Sequence, residues 1–165
     1  MLAAYEQMRA DAVAGEALDF DLLAKWQGTV LGVSDPAFRT GPAFAKNGRE
    51  TYGWAAEAPA WFDDCLASSR DDGVPIAARA ARVYLDVCFF HPFPDGNARS
   101  ALLALAFVLA EGGIVLDQVG PVAQVWRPAD DPEGAAALAD LVAVLIEGTL
   151  RRSGQDCHDG AASRC

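Results

Sequence analysis

Nine consecutive residues, His91-Pro92-Phe93-Pro94-Asp95-Gly96-Asn97-Ala98-Arg99, gather a base, a carboxylate, a turn glycine, an amide and a cation immediately ahead of an apolar run. Asp95-Gly96-Asn97 is a turn signal whose glycine permits positive φ, and a helix beginning there would aim its first free N–H groups into the loop. Such a terminus attracts anions, above all phosphate. A cation in the first helical turn is disfavoured by the helix dipole, so Arg99 is best explained by an anion held before it. Asp95 would repel that anion unless a divalent cation lay between them, as magnesium does against nucleotide phosphates. His91 is the one group here that takes a proton near neutral pH. These are parts for phosphoryl or nucleotidyl transfer to a hydroxyl.

Two helices must position this loop. Residues 75–90 carry an apolar stripe, Ile76, Ala80, Val83, Val87 and Phe90, spaced three or four apart, and residues 100–111 are apolar almost all round.

With its motif and flanking helices set out, the loop resembles that of the Fic/Doc family, H-x-F-x-[D/E/N]-[G/A]-N-[G/K]-R, at His91, Phe93, Asp95, Gly96, Asn97 and Arg99. The resemblance implies an all-α, Fic-like bundle of about six to seven helices with a small β-hairpin flap. It implies His91 as general base, Phe93 as apolar anchor of the loop and Asp95 as the Mg2+ ligand. Gly96 and Asn97 would form a phosphate nest, continued by Ala98, and Arg99 would hold the phosphates of ATP or another nucleoside triphosphate. Ala98 stands where the AMP-transferring branch usually has glycine and Doc-like members lysine. A second arginine of the AMP-transferring branch is replaced by Leu102, as in Doc-like members. The loop therefore matches neither branch fully. The function implied is transfer of AMP or another nucleotidyl group from a nucleoside triphosphate to a hydroxyl of a target. The alternatives are a Doc-like kinase toxin acting on a translation factor, and a fold diverted to a small-molecule biosynthetic substrate or to binding without turnover. The inhibitory pattern [S/T]-x-x-x-E-[G/N] of many Fic proteins is not found, so restraint would come from a separate inhibitor or antitoxin, or from a weak site.

Residues 33–57 break any helix with Pro36, Gly41, Pro42, Gly48 and Gly53, and Asn47-Gly48 is a strong hairpin signal between Phe44 and Tyr52. In the Fic family such a flap holds the target by adding a strand, and Phe38-Arg39-Thr40-Gly41-Pro42 is similar to what precedes it there. Phe44, Lys46, Asn47, Gly48 and Arg49 are thus the expected target-docking residues, the target being a protein with a hydroxyl side chain or a small molecule. Arg39, Lys46 and Arg49 concentrate positive charge, read equally as a solvated loop or as phosphate- or target-facing groups.

Elsewhere the pattern is helical. Residues 2–14 read as a first helix stopped by Gly15, and Asp19 as the N-cap of a second that ends near Gly32 and sends Trp26 into the core. Pro59 opens a third, with Trp61, Phe62, Cys65 and Leu66 on its apolar face, and Arg82 and Asp86 are spaced to pair on the surface of the fourth. Residues 114–126 could hold a short helix. Asp131 caps a last one over residues 132–150, and residues 153–165, with His158, read as a disordered tail. The chain is thus expected to be one domain over residues 1–152, its core about residues 19–150.

A net charge of −10 speaks against nonspecific nucleic-acid binding, which needs lysine and arginine against phosphates. Four cysteines without paired spacing and only two histidines make zinc improbable, with Cys65 and Cys88 read as small buried hydrophobes. The longest apolar run is about half of a membrane span and no basic leader precedes an apolar core, so a soluble cytoplasmic protein is expected.

Overall fold

The computed structural model describes residues 1–45, 47–124 and 131–162, with side chains as far as residue 154. Among these are seven α-helices and one two-stranded antiparallel sheet. Helix α1 spans Leu2–Ala14 and stops where Gly15 takes φ 74°. Helix α2 spans Phe20–Leu31; the Asp19 carboxylate caps it, accepting from the Leu22 N–H at 2.8 Å. The hairpin, β1 (Ala43–Ala45) and β2 (Glu50–Tyr52), follows in the register Ala43 to Tyr52 and Ala45 to Glu50. Its turn places both Asn47 and Gly48 at positive φ, 58° and 81°, which explains the Asn-Gly signal. Lys46 lies outside the described residues.

Helix α3 (Ala58–Ala67) carries Pro59 in its first turn. It buries Phe62 and Leu66 fully, but Trp61, expected on the same face, is 53 % exposed. The reason is angular: Trp61 lies one residue, about 100°, from Phe62, and the buried stripe is the i, i+4 row of Phe62 and Leu66. Helices α4 (Ile76–Phe90) and α5 (Asn97–Glu111) form the centre. They pack on each other more extensively than any other pair, with α1 and α2 against α5 and the last helix against α4. Trp26 is fully buried against Phe107, ring centroids 5.1 Å apart. The short helix α6 (Gly120–Gln124) occupies part of the stretch over residues 114–126, of which 125 and 126 lie outside the described residues.

Helix α7 runs Pro132–Ala162, so the stretch read as a disordered tail is helical for most of its length. Extending an existing helix needs no new nucleus. The turn beyond Leu150 is also tied down, by Arg152 Nη2 on Asp117 Oδ1 at 2.7 Å and Ser153 Oγ on Thr149 O at 3.0 Å. Asp131 caps its start, accepting from the Gly134 N–H at 2.8 Å. No helix among the described residues is long and apolar enough to cross a membrane.

One buried charge works against this core. Among the described residues Asp86 on α4 has only Arg82 Nε as a counter-charge, at 3.7 Å, and its Oδ2 has no hydrogen-bond partner, so burial pushes its carboxyl up to about 6. Below the ordinary carboxyl value both folded and unfolded chains hold the proton and nothing is lost. As pH rises toward 6 the unfolded chain has released it and the folded one has not, so stability falls through that window. Asp86→Asn is expected to stabilise the protein above pH 6 by about 2 kcal/mol and to be neutral below pH 4, which thermal unfolding at the two pH values will measure.

Candidate active site

The loop between α4 and α5 is built from both of its ends. His91 ends α4 in the left-handed region, φ 49°, its N–H donating to Val87 O at 3.0 Å. A positive φ outside glycine costs of order 1 kcal/mol and persists only where neighbours enforce it. Here the enforcer is Arg39. Its backbone N–H donates to Pro92 O at 2.9 Å, Nε to His91 O at 2.9 Å and Nη2 to Phe90 O at 3.0 Å. The same guanidinium donates to the carbonyls of Gly41, Tyr52 and Gly53 in and beside the flap. Arg39, weighed in the sequence as a solvated or ligand-facing cation, is thus a clasp between flap and loop.

Phe93 is fully buried and stacks on Phe20, centroids 5.4 Å apart, in a cluster with Phe38 and Phe62. Asn97 closes the loop from the other side. Its Oδ1 accepts from Phe93 N at 2.9 Å and its Nδ2 donates to Phe93 O at 2.8 Å, both buried. Its side chain therefore braces the loop, and any part in an anion cradle belongs to its backbone N–H. Gly96 takes φ 78°, and a Cβ there would stand 2.4 Å from Gln27 Nε2 and 3.0 Å from Arg99 Nη2. Only glycine fits, on conformational and steric grounds together.

Gln27 carries no signal in the motif, yet it is fully buried beneath the loop. Its Nε2 donates to Asp95 O at 2.6 Å, and its Oε1 accepts from Ser100 Oγ at 2.6 Å. The available clue was a glutamine on the buried side of α2, four residues from Leu23, where an apolar residue would be expected.

The N–H groups of Arg99 and Ser100 are taken by Gly96 O at 2.9 and 3.0 Å. Those of Asn97 and Ala98, at the first two positions of a helix start, have no intrahelical acceptor by geometry. Ala98 is exposed with negative, helical φ, so its methyl group does not force the backbone. Leu102, where the second arginine of the AMP-transferring pattern would stand, packs on the core. Arg99 Nη2 lies 3.5 Å from Asp95 Oδ2, both side chains reaching solvent, and Asp95 Oδ1 accepts from Gly96 N at 2.6 Å. One exposed carboxylate beside a helix start suits magnesium, which takes one or two carboxylates and completes its shell from phosphates and water. Among the described residues no group of three or more acidic, histidine or cysteine side chains could form an all-protein metal cage.

The imidazole of His91 lies between flap and helix. Its Nδ1 is 3.3 Å from Cys88 O. A carbonyl only accepts, so that contact assigns the proton to Nδ1 and leaves the lone pair on Nε2. Tyr52 of β2 stacks flat on the ring, centroids 3.8 Å apart and planes 15° apart, while its hydroxyl donates to Glu50 Oε2 at 3.1 Å. Burial lowers the affinity of His91 for a proton; the Cys88 carbonyl opposes this, Arg39 adds to it and Glu50 opposes it. Burial also pushes the Cys88 thiol up to about 11, so this neighbour is not a thiolate nucleophile at neutral pH. On the flap's other face Phe44 is 65 % exposed, and Asn47 and Arg49 at the turn are also exposed.

The family model described as the Fic/DOC family matches residues 17–109, more than half of the chain, from just before α2 through most of α5. The protein belongs to the Fic/DOC family, and membership points to a transferase of the Fic type. It is similar in fold to a Fic family protein from Desulfovibrio desulfuricans G20, 17 % identical with a TM-score of 0.68, which it matches over 95 % of this chain and 52 % of that one. It is also similar to a Fic domain containing signaling protein from Bacteroides thetaiotaomicron VPI-5482, 19 % identical with a TM-score of 0.56, over 89 % of this chain and 69 % of that one. The chain thus spans about half the length of the first of these proteins. No curated protein matches it.

Proposed function

We propose that this protein transfers a nucleotidyl group, AMP in the simplest case, from a nucleoside triphosphate to a hydroxyl of a target, with His91 as general base. The observation that carries the reading is the place of His91 at the end of α4, in the loop that opens α5, with Nδ1 3.3 Å from the Cys88 carbonyl, a contact that favours the tautomer whose lone pair is on Nε2. In the step, Nε2 accepts the proton of the hydroxyl as its oxygen bonds to the α-phosphorus, and the bond to the pyrophosphate oxygen breaks. The N–H groups of Asn97 and Ala98 and the guanidinium of Arg99 face the phosphates and stabilise the charge that shifts onto them. Asp95 would hold Mg2+, which when bound neutralises part of the phosphate charge. The flap's exposed strand presents backbone groups to which a protein target adds as a strand, and a small molecule would rest on the loop alone. A separate inhibitory partner would supply restraint.

A second reading, phosphorylation of the hydroxyl, is favoured by Leu102. With an apolar side chain on the core at that position, α5 offers Arg99 alone to the phosphates. Incubation with ATP labelled separately at the α and γ positions, with candidate protein acceptors, decides between them. Label from α on the acceptor is the expected result; label from γ alone assigns kinase action, and neither label on any acceptor rejects both.

A further inference from the structure

The contact between Tyr52 and His91 belongs to no part of the loop motif. We infer that Tyr52 is a positioning residue for the base, its ring fixing the plane of the His91 imidazole and covering one face of it. The inference rests on the reading of His91 as general base.

Three observations carry it. The first is the stack itself, parallel within 15° at 3.8 Å between centroids, which is closer than most aromatic pairs and leaves no room for water between the rings. Second, the orientation of Tyr52 is set from both ends. Residues alternate across a strand, so Glu50 and Tyr52 share the inward face of β2 while Thr51 points outward, and the Tyr52 hydroxyl is held by the Glu50 carboxylate at 3.1 Å. Burial, and after it the Glu50 partnership, push the phenol up to about 12, so the ring stays neutral and its hydroxyl keeps its proton. Third, Arg39 joins the backbone of the two stacked residues, donating to His91 O at 2.9 Å and reaching Tyr52 O in a longer contact of 3.5 Å. The strand that would receive a target and the residue that would take its proton therefore share one guanidinium.

The imidazole has two soft torsions. Its Nδ1 contact to Cys88 O, at 3.3 Å, fixes the tautomer but is long for a hydrogen bond and only weakly restrains the ring. A flat aromatic surface on one face removes the remaining freedom and directs a hydroxyl to approach Nε2 along the ring edge. Among the described residues, the charged and titratable groups around His91 are Glu50 and Tyr52 on β2, Arg39 on the segment before the flap and Cys88 on α4. Asp95 and Arg99 pair with each other further along the loop.

Two substitutions separate the ring from its hydroxyl. Tyr52→Ala removes the stack, and Tyr52→Phe keeps the stack while losing the bond to Glu50. Among the described residues the hairpin contributes none to the buried core, so neither change disturbs the bundle. The chain holds only two histidines, so NMR titration of the His91 imidazole in the full-length protein, assigned with His91→Ala, gives a readout independent of turnover. The wild-type and Tyr52→Phe proteins are expected to titrate below the ordinary histidine value of about 6.5, and Tyr52→Ala to move up toward it. In the transfer assay, kcat/KM of Tyr52→Ala is expected to fall about ten- to a hundred-fold, with Tyr52→Phe close to wild type. The acid limb of the pH profile moves upward in Tyr52→Ala alone. An imidazole titration unchanged in Tyr52→Ala overturns the inference, as does an equal shift in Tyr52→Phe, which would assign the effect to the hydroxyl. A wild-type protein without transfer activity defeats the proposed reaction, while the titration still decides whether Tyr52 holds the ring.

Discussion

Replacing His91 by alanine is expected to lower the rate of transfer by a factor on the order of a hundred to ten thousand, with little change in the affinity for the nucleotide. The magnitude is that of a positioned general base, and the separation follows because in the proposed reaction the phosphates would be held by the start of α5 and Arg99 rather than by the imidazole. The pH dependence makes the test sharper. Burial holds His91 below its ordinary value, so the neutral, proton-accepting form already predominates at pH 7. The acid limb of kcat/KM should fall below about pH 6.5, the ordinary histidine value, and disappear in His91→Ala. The same shift affects stability, with a sign that can be checked. Below the ordinary value the unfolded chain binds a proton that the folded one resists. Stability contributed by burying the neutral ring is thus present above that pH and lost as pH falls through the folded value. An activity unchanged by His91→Ala at any pH would remove His91 from the chemistry.

The second large effect is on the loop itself. Asn97→Ala deletes the two hydrogen bonds that close the turn and leaves Phe93 N–H and Phe93 C=O buried without partners. Each buried group left unsatisfied costs about 1–3 kcal/mol, so the expected loss is roughly 2–5 kcal/mol. For a domain of this size that lowers Tm by about 5–15 °C. Asn97→Asp should rescue little. It keeps the acceptor for Phe93 N, but turns a carboxylate oxygen toward Phe93 O, where the amide had a donor. Activity should fall with stability, because the brace also sets where the Asn97 and Ala98 N–H groups point. Differential scanning calorimetry of the three proteins measures the effect, and a Tm within about 1 °C of wild type for Asn97→Ala would show that the turn is held by the Phe93 cluster alone.

How much of this was legible beforehand follows from the range of each interaction. Helices α1, α2, α4 and α5 could be read because their stripes, caps and stops are local: Gly15, Asp19 and Gly32 act within a turn of where they stand. The hairpin was legible for the same reason, through the preference of Asn47-Gly48 for positive φ. Trp61 and the end of α7 were not. The phase of a short helix depends on which neighbour it meets, and the end of a long one on whether a partner such as Asp117 holds its next turn.

The sequence by itself determined the groups available at the loop, a base, a carboxylate, a helix start and a cation within nine residues, and with them the expectation of chemistry on phosphate. Only the tertiary structure decided how those groups are held. Gln27 lies 68 residues from Asp95, Arg39 52 residues from His91, and Tyr52 reaches the imidazole only once the hairpin folds onto it. The physical reason is that composition and spacing fix which groups exist and which local turns they favour. The orientation of a buried polar side chain, by contrast, is set by whichever distant partners satisfy its hydrogen bonds, and those partners are chosen by packing.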